Sequence, residues 1–161
     1  MSEKTRNQRR VRLLSVIEPK LMLGERVEVI SFAQVAFKRG IRNEAALAMA
    51  TKVAVAAAVS AATSATVVPI FTGGVKDHYY VVLTSHRLLI IANYRSRRTT
   101  GFGAIEMAVP RELVAARLVT DRILAKVRLD IQGSDTTLRL TYALRAQYKA
   151  EARSLVGALG G

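Results

Sequence analysis

The chain has 161 residues, no cysteine, and a formal net charge of +13 at neutral pH. This length suits one domain with some added segments. The lack of cysteine excludes disulfides, thiol catalysis and zinc sites with sulfur ligands, and it suits a reducing compartment. So basic a chain is attracted to phosphate groups or to acidic surfaces. We therefore expect a cytoplasmic protein that binds an anionic partner.

The first 22 residues are predicted to form a basic helical segment ahead of the domain. Apolar residues recur there at helical spacing and predict a helix with one apolar face, while residues 1–10 are expected to fray. That predicted face consists of Val11, Leu14, Ile17 and Leu21. No long apolar run follows within the first 30 residues, so we expect no secretory signal.

Residues 44–72 form a predicted alanine-rich helical insertion after the first strand. That strand is expected over 27–37, with a β-bulge near Ser31. Residues 45–71 contain 11 alanines and a single charged residue, Lys52. Five alanines at four-residue intervals predict a smooth helical ridge, which suits close approach of another backbone and hence self-association. They are Ala46, Ala50, Ala54, Ala58 and Ala62.

Three interpretations of this insertion stay open on sequence grounds. Residues 53–75 are uncharged for 23 positions, long enough to cross a bilayer, but serines, threonines and Pro69 weaken the apolar character. The insertion is also compatible with a helix that packs on its own domain or on another subunit. The third possibility is a helix that touches the membrane beside basic residues without crossing it.

Further strands alternate with turn signals up to one final helix. The pattern predicts strands over 79–83, 88–92, 105–109, 113–119, 126–131 and 136–142. Residues 143–159 then read as an amphipathic helix. Its predicted apolar face consists of Leu144, Tyr148, Ala152, Leu155, Val156 and Leu159.

Two short motifs resemble the bacterial pleckstrin-homology-like (PH-like) families of the YokE-like type. One is Gly24-Glu25 before the first strand, and the other is the hairpin sequence VLTSHRLL over residues 82–89, in which Ser85 replaces the usual Asp or Asn. The resemblance implies an α+β, mostly β fold: a PH-like antiparallel barrel or sandwich of about seven strands, capped by the C-terminal helix. The implied domain covers residues 23–159, interrupted by the insertion. It also implies a binding or scaffolding module without catalytic residues.

Antiparallel pairing predicts one basic site. If consecutive strands reverse direction, the connection between strands 1 and 2 and the connection between strands 3 and 4 leave the sheet at the same end. These two connections contribute seven basic residues to the predicted site: Lys38, Arg39, Arg42, Lys76, Arg95, Arg97 and Arg98. Guanidinium groups suit phosphate because they donate paired hydrogen bonds. The resemblance places lipid headgroup binding at this end, so we expect an anionic membrane surface or an acidic protein as partner, and a peripheral position at the inner face of the membrane. A solvated rim without a ligand is the simpler interpretation.

Other functions find less support in the sequence. His78 and His86 lack a third ligand at suitable spacing, so no metal site is expected. No nucleophile has a plausible base, and neither an enzyme nor a cofactor is expected. The alternative function is a structural subunit, which forms an oligomer or docks into a larger complex through the alanine-rich helix. Nucleic-acid binding ranks last, because stacking aromatics near the basic residues are limited to Tyr94 and Phe102.

Overall fold

A computed structural model describes residues 3–38, 77–93, 102–120, 122–133 and 137–160 of the chain. Two helices flank the β region: α1 (Glu3–Ile17) and α2 (Ala146–Ala158). The strands are β1 (Val27–Lys38), β2 (Asp77–Thr84), β3 (Arg87–Ala92), β4 (Ile105–Pro110), β5 (Val114–Thr120), β6 (Lys126–Ile131) and β7 (Thr137–Thr141). Short 3-10 turns occur at Glu18–Lys20 and Arg111–Leu113.

The seven strands form one antiparallel sheet in the order β4-β3-β2-β1-β7-β6-β5, and the sheet is not closed. The prediction of a mostly β chain with seven strands and a C-terminal helix is therefore confirmed. β1 joins the two halves of the sheet, because it pairs with β2 from Val27 to Val35 and with β7 from Gln34 to Lys38. This dual pairing requires a long strand, and β1 has 12 residues.

The β-bulge of β1 is not at the predicted position. The register shifts between Val27 and Val29, whereas Ser31 pairs regularly with Val81. Ser31 interrupts the apolar alternation yet lies inside the core, where its hydroxyl is 3.0 Å from the hydroxyl of Tyr142. A buried polar side chain with a hydrogen-bond partner does not disturb a strand, so the expectation of a bulge near Ser31 was wrong.

The main core lies on the face of the sheet that α2 covers. Residues from all seven strands contribute to it, and α2 adds the side chains of Tyr148, Ala152, Leu155 and Val156. These helical positions were predicted from their spacing and are confirmed as buried. Leu144 is 64% exposed, contrary to the prediction, because the helix begins only at Ala146 and its apolar face does not extend back to residue 144.

The opposite face of the sheet is covered by α1, which packs on β2, β3 and β4. Leu13 and Ile17 of α1 are fully buried there. Their partners in this second core are Tyr80, Val82, Leu89, Ile91 and Ala108. Two expectations for this segment were wrong: the helix begins at Glu3 instead of fraying to residue 10, and Val11 is 66% exposed. The predicted face is otherwise confirmed, since Ile17 is buried and Leu14 and Leu21 are partly buried against this core, but Leu13 is buried in place of Val11.

The alanine-rich insertion over 44–72 lies outside the described residues, as do its five ridge alanines, Ala46, Ala50, Ala54, Ala58 and Ala62. The 23-residue uncharged stretch over 53–75 lies there too.

Candidate functional site: the connection end of the sheet

Most residues of the predicted basic site lie outside the described part of the chain. Lys38 is the last residue of β1, so its backbone position is described. The remaining six residues fall in the stretches before β2 and after β3, which the structure does not describe: Arg39, Arg42, Lys76, Arg95, Arg97 and Arg98.

The register of the strands determines where these two stretches leave the sheet. β1 runs against β2 with Val35 opposite Asp77, and β2 runs against β3 with Tyr79 opposite Ala92. β4 re-enters beside the end of β3, with Ile105 opposite Ile91. The connection between β1 and β2 and the connection between β3 and β4 therefore both leave from one end of this half of the sheet, which we call the connection end.

Helix α1 contributes a described cation next to the connection end. Gly103 donates its backbone N–H to the carbonyl of Ala92, the last residue of β3, so Phe102 lies at the connection end. The guanidinium carbon of Arg12 lies 5.4 Å from the centre of the Phe102 ring, within range of a cation–π interaction. Arg12 was not predicted to belong to the site, because residues 1–22 were expected to form a segment ahead of the domain. The spacing of Leu13 and Ile17 was the available signal that this helix docks on the sheet.

Aromatic rings continue from Phe102 across the same region. The rings of Tyr80 and Phe102 meet edge to face, with centroids 6.2 Å apart, and Phe32 lies 5.1 Å from Tyr80. Burial raises the pKa of the Tyr80 hydroxyl, although the charge of Arg9 opposes this shift. Cations of α1 thus border an aromatic surface near the connection end.

The two motifs that carry the PH-like resemblance meet in space, at the opposite end of β2 and β3. The Glu25 carboxylate accepts hydrogen bonds from Arg87 Nε at 2.8 Å and from Arg87 Nη2 at 3.0 Å. The Thr84 hydroxyl donates to the same carboxylate at 2.6 Å and accepts the backbone N–H of Arg87 at 2.9 Å. We call Glu25, Thr84 and Arg87 the motif cluster.

The motif cluster is a structural element rather than a binding site. The Glu25 side chain is fully buried and that of Arg87 is 11% exposed. Burial would raise the pKa of Glu25, but the hydrogen bonds from Arg87, Thr84 and the Met22 backbone outweigh it and hold the pKa below its ordinary value. The cluster fixes the chain before β1 to the β2–β3 hairpin and keeps the carboxylate ionised.

Neither histidine belongs to a described group of side chains that could hold a metal ion. His86 is exposed in the β2–β3 turn, where its Nδ1 lies 2.8 Å from the Ser85 hydroxyl. His78 stacks on Phe32 with ring centroids 5.6 Å apart. Within the described ranges, no three histidine or carboxylate side chains group closely enough to hold a metal ion.

Neither of the described helices has the length and apolar character needed to cross a membrane. Comparison of the chain with protein-family models, with curated proteins and with solved structures gave no match.

Proposed function

We propose that this chain is a non-enzymatic PH-like binding module that engages an anionic partner through the connection end. The proposed partner is an anionic membrane surface at the cytoplasmic side. An acidic protein surface would offer the same negative charge and is the other partner of this kind. A PH-like assignment is supported by the antiparallel strand order and by the α2 helix on the main core. It is also supported by the motif cluster, in which the two segments that resemble the PH-like families contact each other through Glu25 and Arg87.

The observation that carries the proposal is the strand register. Because β1 to β4 reverse direction in succession, the segments that follow β1 and β3 start from the same end of the sheet. Those segments carry seven basic residues, six of which belong to the proposed site while Lys52 lies within the alanine-rich insertion, and Lys38 adds another at the end of β1. Arg12 adds a described cation over the Phe102 ring, near the same end of the sheet. Basic residues near an anionic membrane contribute roughly 1 kcal/mol each to binding.

Flotation with vesicles tests this function. The wild-type chain is expected to float with vesicles of phosphatidylcholine and phosphatidylserine, and to remain in solution with phosphatidylcholine alone. The triple variant Arg95→Ala/Arg97→Ala/Arg98→Ala is expected to bind on the order of a hundredfold more weakly, because three contributions of about 1 kcal/mol are lost.

A charge-matched control separates a defined site from overall positive charge. The variant Arg117→Ala/Arg122→Ala/Lys126→Ala also removes three cations, all exposed on β5, on the β5–β6 connection and at the start of β6. It is expected to lose only a small part of the binding. If both triple variants lose binding equally, the connection end is not the site.

The assembly function remains a second candidate because of one observation on the described residues. β5 is an edge strand of the sheet, and apolar side chains on it and just after it are exposed: Leu118 at 37%, Val119 at 59% and Ile123 at 71%. An exposed apolar strand edge is a common route to association. Light scattering after gel filtration distinguishes the two functions, since a stable oligomer that ignores anionic vesicles favours assembly.

A further inference from the structure

A cleft opens between α1, β1 and α2. Its volume is about 410 Å³, which lies within the range of small-molecule sites in proteins. One wall comes from the first half of α1, the floor from β1 and Tyr80, and the other wall from α2. We call it the interhelical cleft.

The α1 wall is cationic where an apolar wall would be expected. Leu13 and Ile17 are the buried residues of α1, and continuing their helical stripe toward the N-terminus leads to positions 6, 9 and 10. All three of these positions are arginine, and all three line the cleft. A helix that served only to cover the sheet would place apolar side chains there. Departures of this kind from local pattern concentrate at functional sites.

Two of these arginines are available to a ligand. Arg6 donates from Nη1 to Gln147 Oε1 of α2 at 2.8 Å, which links the two walls. Within the described part of the chain, Arg9 and Arg10 make neither a hydrogen bond nor a salt bridge. Both guanidinium groups are exposed at the rim of the cleft.

The two carboxylates of the cleft already have partners. Glu28 forms a salt bridge with Arg111 at 2.6 Å. Glu151 accepts the backbone N–H of Phe32 at 3.1 Å. Burial raises the pKa of Glu151, an effect that this hydrogen bond and the charges of Arg6 and Arg10 oppose. Among the described lining residues, three arginines therefore face one carboxylate without a salt-bridge partner, Glu151, and the cleft carries an excess of positive charge.

The floor beside these cations is largely apolar. It includes Val29, Ile30 and Phe32 of β1, and the buried rings of Tyr80 and Tyr148 border it. A ligand with only a charged group would leave this surface unused. A ligand with only an apolar body would leave Arg9 and Arg10 without an anion.

We propose that the interhelical cleft binds a phosphate monoester with a compact apolar body, held by Arg9 and Arg10 at the phosphate and by Phe32 and Ile30 at the apolar end. Paired guanidinium groups suit the phosphate dianion because each donates two parallel hydrogen bonds. The proposal rests on Arg9, Arg10 and Ile30, whereas the function proposed above rests on basic residues of the β1–β2 and β3–β4 connections. The ester can come from a soluble metabolite or from the headgroup of a single-chain lipid.

Isothermal titration of the full chain with phenyl phosphate tests the proposal. Saturable binding is expected, at least tenfold tighter than binding of inorganic phosphate, since the ring adds apolar contact. Arg9→Ala/Arg10→Ala is expected to weaken phenyl phosphate binding at least tenfold. The double variant Arg117→Ala/Arg122→Ala, which removes the same charge elsewhere, is expected to bind as wild type.

A second variant tests the cleft without altering charge. Ser154 lines the α2 wall and is exposed, so Ser154→Phe fills the cleft with little effect on the core. It is expected to weaken phenyl phosphate binding at least tenfold, with an unchanged melting temperature as evidence of folding. Equal binding of phenyl and inorganic phosphate, or full binding by both cleft variants, overturns the proposal.

Titration with a lysophosphatidate below its micelle concentration separates the two sources. Tighter binding than phenyl phosphate supports the lipid source, and weaker binding supports the soluble ester. If neither compound binds at millimolar concentration, the site is refuted. Vesicle flotation of Arg9→Ala/Arg10→Ala then shows whether the connection end still binds, so the two proposals fail separately.

Discussion

Glu25 receives four hydrogen bonds, two from the Arg87 guanidinium, one from the Thr84 hydroxyl and one from the backbone N–H of Met22 at 2.7 Å. Arg87 also donates to the carbonyl of Lys20 at 3.0 Å. Taking two charges out of water is expensive, and the loss is offset only when the hydrogen-bond geometry is complete. Each residue of the motif cluster therefore depends on the others.

Removing one partner of this ion pair is expected to cost more than removing both. Arg87→Ala leaves the Glu25 carboxylate buried without its cation, and we expect a loss of about 3–5 kcal/mol in the free energy of unfolding. The double variant Glu25→Leu/Arg87→Leu leaves no buried charge and is expected to lose less. Urea unfolding followed by circular dichroism measures both. An Arg87→Ala protein within about 1 kcal/mol of wild type would contradict the role of the cluster.

The pKa of Glu106 is shifted in the opposite direction to that of Glu25. Glu106 is buried on β4, and burial raises its pKa above the ordinary value of 4.5. The folded chain therefore keeps this proton to a higher pH than the unfolded chain. The corresponding stability is complete below pH 4.5 and is lost as the pH rises through the raised pKa.

From this sign we expect Glu106→Gln to stabilise the protein at pH 7 and to change little at pH 4. The amide removes the cost of a buried ionised carboxylate, and the rise in melting temperature at pH 7 is expected to be roughly 2–4 °C per kcal/mol gained. Thermal unfolding at both pH values measures it. Glu112→Gln, at an exposed carboxylate, serves as control. Equal shifts at pH 4 and pH 7 would show that ionisation is not the cause.

Helix α1 covers the face of the sheet that α2 leaves open, so the sheet has two covered faces only when α1 is docked. Leu13 and Ile17 provide the fully buried side chains of this helix, and each is worth about 1.5–3 kcal/mol relative to exposure. Lys20, in the turn after the helix, donates from Nζ to the carbonyl of Gly103 at 2.8 Å. These contacts tie the N-terminal segment to the start of β4.

The position of the buried stripe gives a direct test of α1 docking. Leu13→Ala is expected to cost about 2–5 kcal/mol, since it opens a cavity beneath the helix. Val11→Ala is expected to cost less than about 0.5 kcal/mol, because Val11 is on the exposed side. Chemical denaturation compares the two. Similar losses for both variants would mean that the helix docks through the face predicted from the sequence.

Gly103, which lies just before β4, packs close to the Val16 side chain of α1. Its φ is +81°, and a Cβ placed there would collide with the Val16 side chain. Gly103→Ala is expected to destabilise the fold by at least about 1 kcal/mol, from the left-handed backbone alone. Gly157→Ala is the matched control, because Gly157 lies inside α2 with open space around its Cα, and alanine there is expected to add about 0.5–1 kcal/mol. Melting temperatures of the two variants are expected to move in opposite directions.

At the scale of the whole molecule, local pattern and tertiary contact contribute different parts of the fold. The strand over 126–131 was predicted with its observed bounds, Lys126–Ile131, because alternation and a turn signal are properties of neighbouring residues. The buried face of α1 was predicted only in part: Ile17 is buried as expected, but Leu13 is buried and Val11 is exposed, and both of these fit a helical pattern. Only the position of the sheet decides which of them is covered.

The same distinction explains what could be predicted of the sites. That the two basic connections share one end of the sheet follows from strand alternation alone, and the register of β1 to β4 has that arrangement. The interhelical cleft could not be found in this way. Arg9, Phe32 and Glu151 come from three elements far apart in the chain, and their proximity depends on how both helices pack on β1.

The overall charge of +13 requires that the two proposed sites be tested against each other. Any loss of cations weakens attraction to an anionic surface through the field of the whole protein, and salt screens this part of the attraction. A defined site adds a loss that depends on position. We therefore compare two variants that lack cations at different places, and measure the binding of vesicles and of phenyl phosphate for each. The comparison separates the loss due to overall charge from the loss that depends on position.

We expect the two sites to be independent in this comparison. Arg95→Ala/Arg97→Ala/Arg98→Ala is expected to lose vesicle binding and keep phenyl phosphate binding within about twofold, less than 0.5 kcal/mol. Arg9→Ala/Arg10→Ala is expected to lose phenyl phosphate binding, and to lose vesicle binding only as far as Arg117→Ala/Arg122→Ala does. Flotation at two salt concentrations and calorimetry give all the values. If Arg9→Ala/Arg10→Ala loses vesicle binding well beyond its charge-matched control, α1 and the connection end form one continuous surface, because Arg12 of the same helix already lies against Phe102.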